Sequence, residues 1–153
     1  MLRFMIAGAF ISLFGASACY AQGAPGVSQP DQTIAIRKAL MDLQGGVAAA
    51  MKAAVDEKTD VKALTAGAKG LVSSSKMIPL LFPPGTEKGD NTKAKPDVWS
   101  DRGGFEKAAA NLTATAEKLV PLADANDKAG FASQFAAVGQ ACGACHRPYR
   151  YQE

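Results

Sequence analysis

The stretch that decides the fold is FASQFAAVGQACGACHRPY, which occupies residues 131–149. Its larger apolar residues and its cysteines recur at alternating steps of four and three, which is the repeat of one face of an α-helix. The residues on that face are Phe131, Phe135, Val138, Cys142, Cys145 and Tyr149. The stretch lacks the strict alternation of apolar and polar residues that a strand would show. We therefore predict one long helix, whose apolar face must be buried against other parts of the chain.

Two segments before residue 80 repeat this pattern. The first opens at Pro30, a residue that suits the first turn of a helix. Its predicted apolar stripe is Ile36, Leu40, Leu43, Val47, Ala50 and Ala54. The second begins at a capping residue, Thr59 or Asp60, and ends at Pro79. Its predicted stripe is Val61, Leu64, Ala68, Leu71, Ser75 and Ile78.

A third segment of this kind begins near Pro96, and Pro121 is expected to kink or end it. Its predicted stripe is Phe105, Ala109, Leu112, Ala116, Leu119 and Ala123. Residues 81–95, which precede it, contain prolines, glycines and scattered charges without a period, and so predict a long surface connection. Four helices with one apolar stripe each can bury those stripes only against one another. The predicted fold is all-α, an antiparallel up-down four-helix bundle.

The composition fits a single globular domain and excludes some partners. The chain has 153 residues, of which 48% are hydrophobic and 20% charged, and these are ordinary values for a globular protein. The formal net charge of +3 is small, and no run of lysine and arginine is present. We therefore predict no nucleic-acid partner.

Residues 1–21 have the pattern of a secretory signal peptide: a basic start, an apolar stretch and small residues before a cleavage point. We predict that residues 22–153 form the mature domain and that it is exported to the periplasm. Cys19 would be removed with the signal. The alternative is that Cys19 is lipidated, but Ala16 stands three residues before it where a leucine is expected.

The segment Cys142-Gly143-Ala144-Cys145-His146 is the C-x-x-C-H pattern of covalent c-type haem attachment. Two thiols three residues apart lie on one face of a helix, close enough to form thioethers with the two vinyl groups on one porphyrin edge. His146 lies further round the helix, where its imidazole can bind the iron. We therefore predict one covalently attached haem c.

Three other interpretations of the cysteines are weaker. A redox C-x-x-C lies where a strand passes into a helix, and no strand is predicted in this chain. A zinc site takes four ligands, but the chain after the signal contains no further cysteine or histidine. The remaining alternative is a cysteine pair that only fills the core or forms a disulfide.

The sequence leaves the sixth position of the iron open. His146 is the only histidine, so a second histidine ligand is excluded, and methionine, water, a gas or no ligand remain. Met41 lies on the predicted first helix, one turn after Arg37. Gly45 and Gly46 each cost about 1 kcal/mol relative to alanine in mid-helix, which suggests that a flat or bulky group lies close there. Met41 as a distal ligand and Met41 as core filler are both open.

Several motifs resemble those of the class II c-type cytochromes, the cytochrome c′ family. They are residues 37–41 (RKALM), 81–86 (LFPPGT) with Gly89-Asp90, 95–99 (KPDVW), and the late haem motif followed by Tyr149-Arg150. The resemblance covers essentially the whole chain after the signal. It implies a four-helix bundle, in which Trp99 and Phe105 line the core.

The resemblance implies a role for each residue of the site. It assigns the haem and its iron to the cysteines and histidine of the motif, Cys142, Cys145 and His146. Met41 then occupies the distal position, Arg37 contacts a haem propionate, and Arg150 is a basic residue near the proximal face. Pro148 departs from the family pattern, and we expect it to kink or end the last turn of the helix.

The expected function is one-electron transfer in the periplasm, with redox proteins of that compartment as partners. The alternative is a five-coordinate cytochrome c′ that binds or scavenges small gases such as nitric oxide or carbon monoxide. The resemblance also implies pairing into a homodimer through the first two helices. No enzymatic activity is expected, because no distal histidine is available and no carboxylate pair is suggested by spacing.

Overall fold

A computed structural model describes residues 28–152 of the chain. Within that range six α-helices are present: α1 (Gln29–Asp56), α2 (Thr65–Met77), α3 (Asp97–Ser100), α4 (Arg102–Glu117), α5 (Leu119–Asp124) and α6 (Lys128–Tyr149). Short 3₁₀ turns at Lys62–Leu64 and Ile78–Leu81 flank α2. The only β-structure among residues 28–152 is an isolated antiparallel bridge between Ala94 and Arg150. The predicted signal peptide and Cys19 lie outside the described residues.

Four helical columns form the bundle. The helix α1 packs against α2 and α6, α2 packs against α4, and α4 packs against α6, so that the columns close into a ring. The short helix α5 continues α4 past Lys118 and contacts α2 and α6. The prediction of an antiparallel four-helix bundle is confirmed. None of the helices described is both long and apolar enough to cross a membrane.

The three longest helices begin at side-chain caps. At α1 the hydroxyl of Ser28 accepts a hydrogen bond from the backbone N–H of Asp31, and Pro30 lies in the first turn as predicted. At α4 the carboxylate of Asp101 accepts from the N–H of Gly104, and Asp127 caps α6 in the same way. Such a cap contributes about 1 kcal/mol to helix stability.

The core follows the stripes predicted for the second, third and fourth columns. In α2 and its flanking turns the buried residues are Val61, Ala68, Leu71, Ser75 and Ile78. In α4 and α5 they are Phe105, Ala109, Leu112, Ala116, Leu119 and Ala123, which is the whole predicted stripe. In α6 they include Phe131, Val138 and Tyr149, with both cysteines partly buried against the same cluster.

The stripe predicted for α1 is only partly right: Leu40 and Val47 are partly buried against the core, but other members of the stripe are exposed. Ile36 and Leu43 are 56% and 63% exposed, whereas the residues fully buried on this helix are Ile34, Arg37 and Met51. Successive residues of a helix are about 100° apart, so the buried row is rotated by roughly a quarter turn from the predicted one. The apolar pattern predicted the wrong row because one of the buried residues of α1 is an arginine. A hydrophobicity pattern places an arginine on the solvent-exposed face of a helix.

Pro148 lies in the last turn of α6, and the helix ends one residue later, at Tyr149. The backbone of Arg150 is extended, and its N–H donates a hydrogen bond to the carbonyl oxygen of His146 (2.9 Å). The expectation that Pro148 ends the helix is therefore confirmed. Arg150 therefore lies just past the helix and does not continue its face.

Candidate functional site

The two cysteines of the C-x-x-C-H motif lie in the last turns of α6 with their side chains half-buried against the core. They do not form a disulfide with each other. Burial raises the pKa of the Cys142 thiol, and burial together with the charge of Cys142 raises the pKa of the Cys145 thiol. Both thiols are therefore neutral at pH 7. A structural zinc site takes four ligands, and no cluster of three potential metal ligands exists among residues 28–152.

His146 follows directly on α6 and is held in the neutral state. Partial burial and the positive charge of Arg150 both lower the pKa of its imidazole. A neutral imidazole has a free nitrogen lone pair at pH 7, which is the form that binds a metal. Although Arg150 lies outside the helix, it is close enough to His146 to act on that pKa. The residues that the motif predicts to act together therefore do lie together at the end of α6.

Tyr149 connects the end of α6 to the start of α4. Its side chain is 8% exposed, and its hydroxyl donates a hydrogen bond to Oδ2 of Asp101 (2.7 Å). Its carbonyl oxygen accepts from the N–H of Lys95 (3.0 Å), and the N–H of Tyr151 donates to the carbonyl of Lys93 (2.8 Å). The sequence placed Tyr149 on the apolar stripe but gave no sign of its partner Asp101.

Arg37 is 3% exposed, and its guanidinium forms four hydrogen bonds with one loop. Nη1 donates to Oγ1 of Thr86 (2.9 Å) and, at 3.5 Å, to the carbonyl oxygen of Leu81. Nη2 donates to the carbonyl oxygen of Thr86 (2.8 Å) and to Oγ1 of Thr92 (2.7 Å). We call residues 81–92 the clamp loop. The contact between Arg37 and a haem propionate stays a prediction.

The guanidinium of Arg37 also lies over aromatic rings. Its central carbon is 4.6 Å from the ring centre of Phe82 and 5.7 Å from that of Trp99, distances at which a cation is attracted to a ring face. Within the described residues no carboxylate lies at ion-pair distance from it. Burial lowers the pKa of Arg37, and the more distant carboxylate of Glu87 opposes that effect. Trp99 and Phe105 line this part of the core, as expected.

Met41 and His146 lie on neighbouring helices of the bundle, α1 and α6. Met41 is partly buried against the core, one turn after Arg37 on α1. The clamp loop binds α1 through Arg37, and the residues that follow it pair with the end of α6 through the bridge between Ala94 and Arg150. Because α1 and α6 are also neighbours in the bundle, Met41 is placed on the helix beside the haem motif.

The middle of α1 leaves room on its surface. A Cβ added to Gly45 or Gly46 would meet no atom within 4 Å, so close packing between helices does not explain these two glycines. Both glycines are exposed to solvent. Two neutral thiols and a neutral imidazole on the adjacent helix are the donor set for a covalently attached haem.

Comparison with known proteins shows which family the chain belongs to. The family described as Cytochrome C′ matches residues 32–150. A cytochrome c-556 of Agrobacterium tumefaciens is 33% identical over 119 residues, which cover 76% of this chain and 95% of that protein.

Two solved structures are similar over most of the chain. A nitric oxide complex of a cytochrome c′ mutant from Alcaligenes xylosoxidans superposes with a TM-score of 0.75 at 28% identity, covering 83% of this chain and 99% of that one. A cytochrome c′ described as having a ligand-controlled dimer dissociation superposes with a TM-score of 0.76 at 25% identity, with the same coverage. The chain therefore belongs to the cytochrome c′ family, whose members carry covalently bound haem c.

Proposed function

We propose that the protein transfers single electrons in the periplasm through its haem, with His146 as the proximal iron ligand and Met41 as the sixth. The observation that carries this proposal is that the two residues lie on neighbouring helices, α1 and α6. Export to the periplasm is proposed from the signal pattern of residues 1–21. The partners are proposed to be redox proteins of that compartment.

Haem, when bound, supplies a reversible one-electron couple between ferric and ferrous iron. The chain determines how that couple behaves. Because its pKa is lowered, His146 is neutral at pH 7 and its lone pair is free to bind a metal. The two half-buried thiols of Cys142 and Cys145 would hold one edge of the haem to α6. A thioether ligand at Met41 would raise the reduction potential.

Gas binding is the second candidate function. The observation that favours it is the nitric oxide complex solved for a structurally similar cytochrome c′. In this alternative Met41 lines the distal pocket without binding iron, and small uncharged gases take the sixth position. No enzymatic turnover is proposed for either function, because the only histidine of the chain serves the iron.

The test is the absorption spectrum of the reduced holoprotein with and without carbon monoxide. Sharp low-spin bands that the gas leaves unchanged would support methionine ligation and electron transfer. A broad high-spin spectrum that shifts with the gas would support the second candidate. Met41→Ala opens the sixth position and is the positive control for gas binding. Met77→Ala, at a residue 46% exposed on the end of α2, is the matched control and leaves the spectrum unchanged.

We further propose that two copies of the chain pair through α1. Ile36 and Leu43 are seven residues apart and therefore lie on one face of the helix, where both are more than half exposed. Leu40 lies between them and is only partly buried. An exposed apolar row of this kind is typical of a surface that another protein covers. The similar cytochrome c′ with a ligand-controlled dimer supports a second copy as its occupant.

A further inference from the structure

We propose that Arg37 is a positioning residue for the sixth side of the haem iron: by attaching α1 to the clamp loop, it sets how closely Met41 approaches the iron. The inference rests on the proposed function, since it concerns the residue that faces the sixth position. In this proposal Arg37 acts on Met41 through the protein, and direct contact with the haem is not what determines its effect.

Two of the four hydrogen bonds that attach Arg37 to the clamp loop go to threonine hydroxyls. Thr86 is 3% exposed, and its hydroxyl accepts a hydrogen bond from Arg37. The same hydroxyl donates a hydrogen bond to the carbonyl oxygen of Pro83 (2.8 Å). Thr92 accepts from Arg37 and from the N–H of Ala94 (3.2 Å) through one oxygen. Each threonine therefore orients the guanidinium and the loop backbone together.

A second contact reinforces the attachment on the neighbouring residue of α1. Nζ of Lys38 binds the carboxylate of Asp90 (3.0 Å) and the carbonyl oxygen of the same residue (2.9 Å). This ion pair is well exposed, so it contributes little on its own. The buried guanidinium is the stronger connection, because its hydrogen bonds are shielded from water.

Holding Arg37 in place also holds the position of Met41. The two residues are four apart on one continuous helix, which corresponds to a rise of about 6 Å and nearly the same face. Helices move as stiff units, so a shift of α1 at Arg37 is passed to Met41 almost undiminished. Only packing contacts with the core hold Met41 in place. Its thioether sulfur is at most a weak hydrogen-bond acceptor.

The clamp loop is in turn connected to the helix that carries His146. The ring of Phe82 meets that of Phe105 at 5.0 Å in an edge-to-face contact, and Phe105 meets Tyr149 in the same way at 5.4 Å. Tyr149 lies three residues after His146, about one helical turn. A continuous path of packed side chains therefore runs from the guanidinium over Phe82 to the helix of the proximal ligand. The separation between Met41 and His146 is determined by this path.

Burial makes the attachment sensitive to small changes. The acceptors of Arg37 are two hydroxyls and two carbonyl groups, all without formal charge. A buried charge that loses even one such partner is left poorly solvated, and the surrounding structure rearranges to restore the bond. Loss of a loop hydroxyl is therefore expected to displace the start of α1, with Met41 on it.

The experiment compares loop and helix variants of the holoprotein by carbon monoxide affinity and by the absorption spectrum of the reduced form. Thr86→Val and Thr92→Val remove hydroxyls while leaving α1 and every haem-binding residue unchanged. We expect each to raise carbon monoxide affinity, and the double variant to raise it about tenfold. Arg37→Gln should have at least the effect of the double variant. Thr86→Ser keeps the hydroxyl and should retain the wild-type affinity.

Thr115→Val is the matched control, because its hydroxyl bonds only within α4, to the carbonyl oxygen of Asn111 (2.7 Å), and its loss should leave the affinity unchanged. Thermal unfolding of each variant separates the roles, since a purely structural role lowers Tm without changing gas affinity.

The proposal is overturned if Arg37→Gln alone changes the spectrum, which would place its action on the haem, or if none of the variants does. Should Thr86→Val fold poorly, Thr92→Val alone gives the same decision. The proposed function fails separately, if wild-type protein shows no histidine-ligated haem or already binds the gas freely.

Discussion

The hydroxyl of Tyr149 lies 2.7 Å from Oδ2 of Asp101 and donates a hydrogen bond to it, while Oδ1 of the same carboxylate accepts from the N–H of Gly104 (3.2 Å). One carboxylate thus caps α4 and holds the end of α6. Because Tyr149 follows His146 by three residues, this pair determines how the end of the helix that carries His146 sits against the rest of the bundle.

Removal of the Tyr149 hydroxyl is expected to weaken the fold. Tyr149→Phe loses a hydrogen bond to a charged acceptor but keeps the edge-to-face contact with Phe105, so the free energy of unfolding should fall by about 1–2 kcal/mol. Urea unfolding of the holoprotein measures the change. Tyr151→Phe is the control, since Tyr151 is 51% exposed and its hydroxyl should contribute little. Equal stability of Tyr149→Phe and wild type would contradict the role given to this pair.

The same pair predicts a pH dependence. The hydrogen bond to Asp101 raises the pKa of Tyr149 to about 12, with burial and the negative charge of Asp101 adding to the effect. The folded protein holds the phenol proton more tightly than the unfolded chain does. Its stabilising contribution is therefore complete below about pH 10, the ordinary pKa of tyrosine, and is lost as the pH rises through the folded value. The difference in unfolding free energy between wild type and Tyr149→Phe should shrink from pH 9 to pH 12, and a constant difference would rule this out.

Two neighbouring glycines of α4 should respond in opposite ways to alanine. A Cβ at Gly104 would overlap both the Asp101 carboxylate and the Tyr149 hydroxyl, so Gly104→Ala must break their contact and destabilise the protein. A Cβ at Gly103 would meet nothing within 4 Å, so Gly103→Ala should stabilise the helix by up to about 1 kcal/mol. Denaturant unfolding of both variants is the measurement. A gain in stability from both changes would show that the Tyr149 contact is not needed.

The exposed row on α1 predicts the oligomeric state. Ile36→Glu combined with Leu43→Glu places two charges on that row and should convert a dimer to a monomer in analytical ultracentrifugation, with little loss of monomer stability. Asn111→Glu adds a charge to the exposed side of α4, on the far side of the bundle from α1, and should leave the dimer intact. A wild-type protein that is monomeric at high concentration would contradict the proposed pairing.

The sequence predicted those parts of the structure that depend on near neighbours in the chain. The stripes of α4 and α6, the proline in the first turn of α1 and the haem motif all follow from local spacing, and all appear where expected. The row on α1 could not be predicted in this way. Its burial is decided by Arg37, and that arginine is buried because hydroxyls 49 and 55 residues away accept its hydrogen bonds.

In the candidate site, too, the contacts between near neighbours in the chain could be predicted and the contacts between distant residues could not. Cys142, Cys145 and His146 are close in sequence and are therefore close in space on any helix. The hydrogen bond between Tyr149 and Asp101 joins residues that are 48 positions apart in the sequence, and no local pattern predicts it. Arg150 lies just past the end of α6 but is still close enough to His146 to lower its pKa.

Substitution of Gly89 tests how closely the clamp loop approaches α1. Its φ of +120° is a conformation that favours glycine, and an added Cβ would lie 2.5 Å from Oδ1 of Asp31 and 3.3 Å from Cδ1 of Ile34, both on α1. Gly85 also has a positive φ, +87°, but a Cβ there would meet nothing within 4 Å. Gly85→Ala therefore measures the backbone cost alone, about 1–2 kcal/mol, while Gly89→Ala adds the collision with α1. We expect Gly89→Ala to lower the free energy of unfolding clearly more than Gly85→Ala does, and equal losses would mean that the loop can withdraw from α1 without cost.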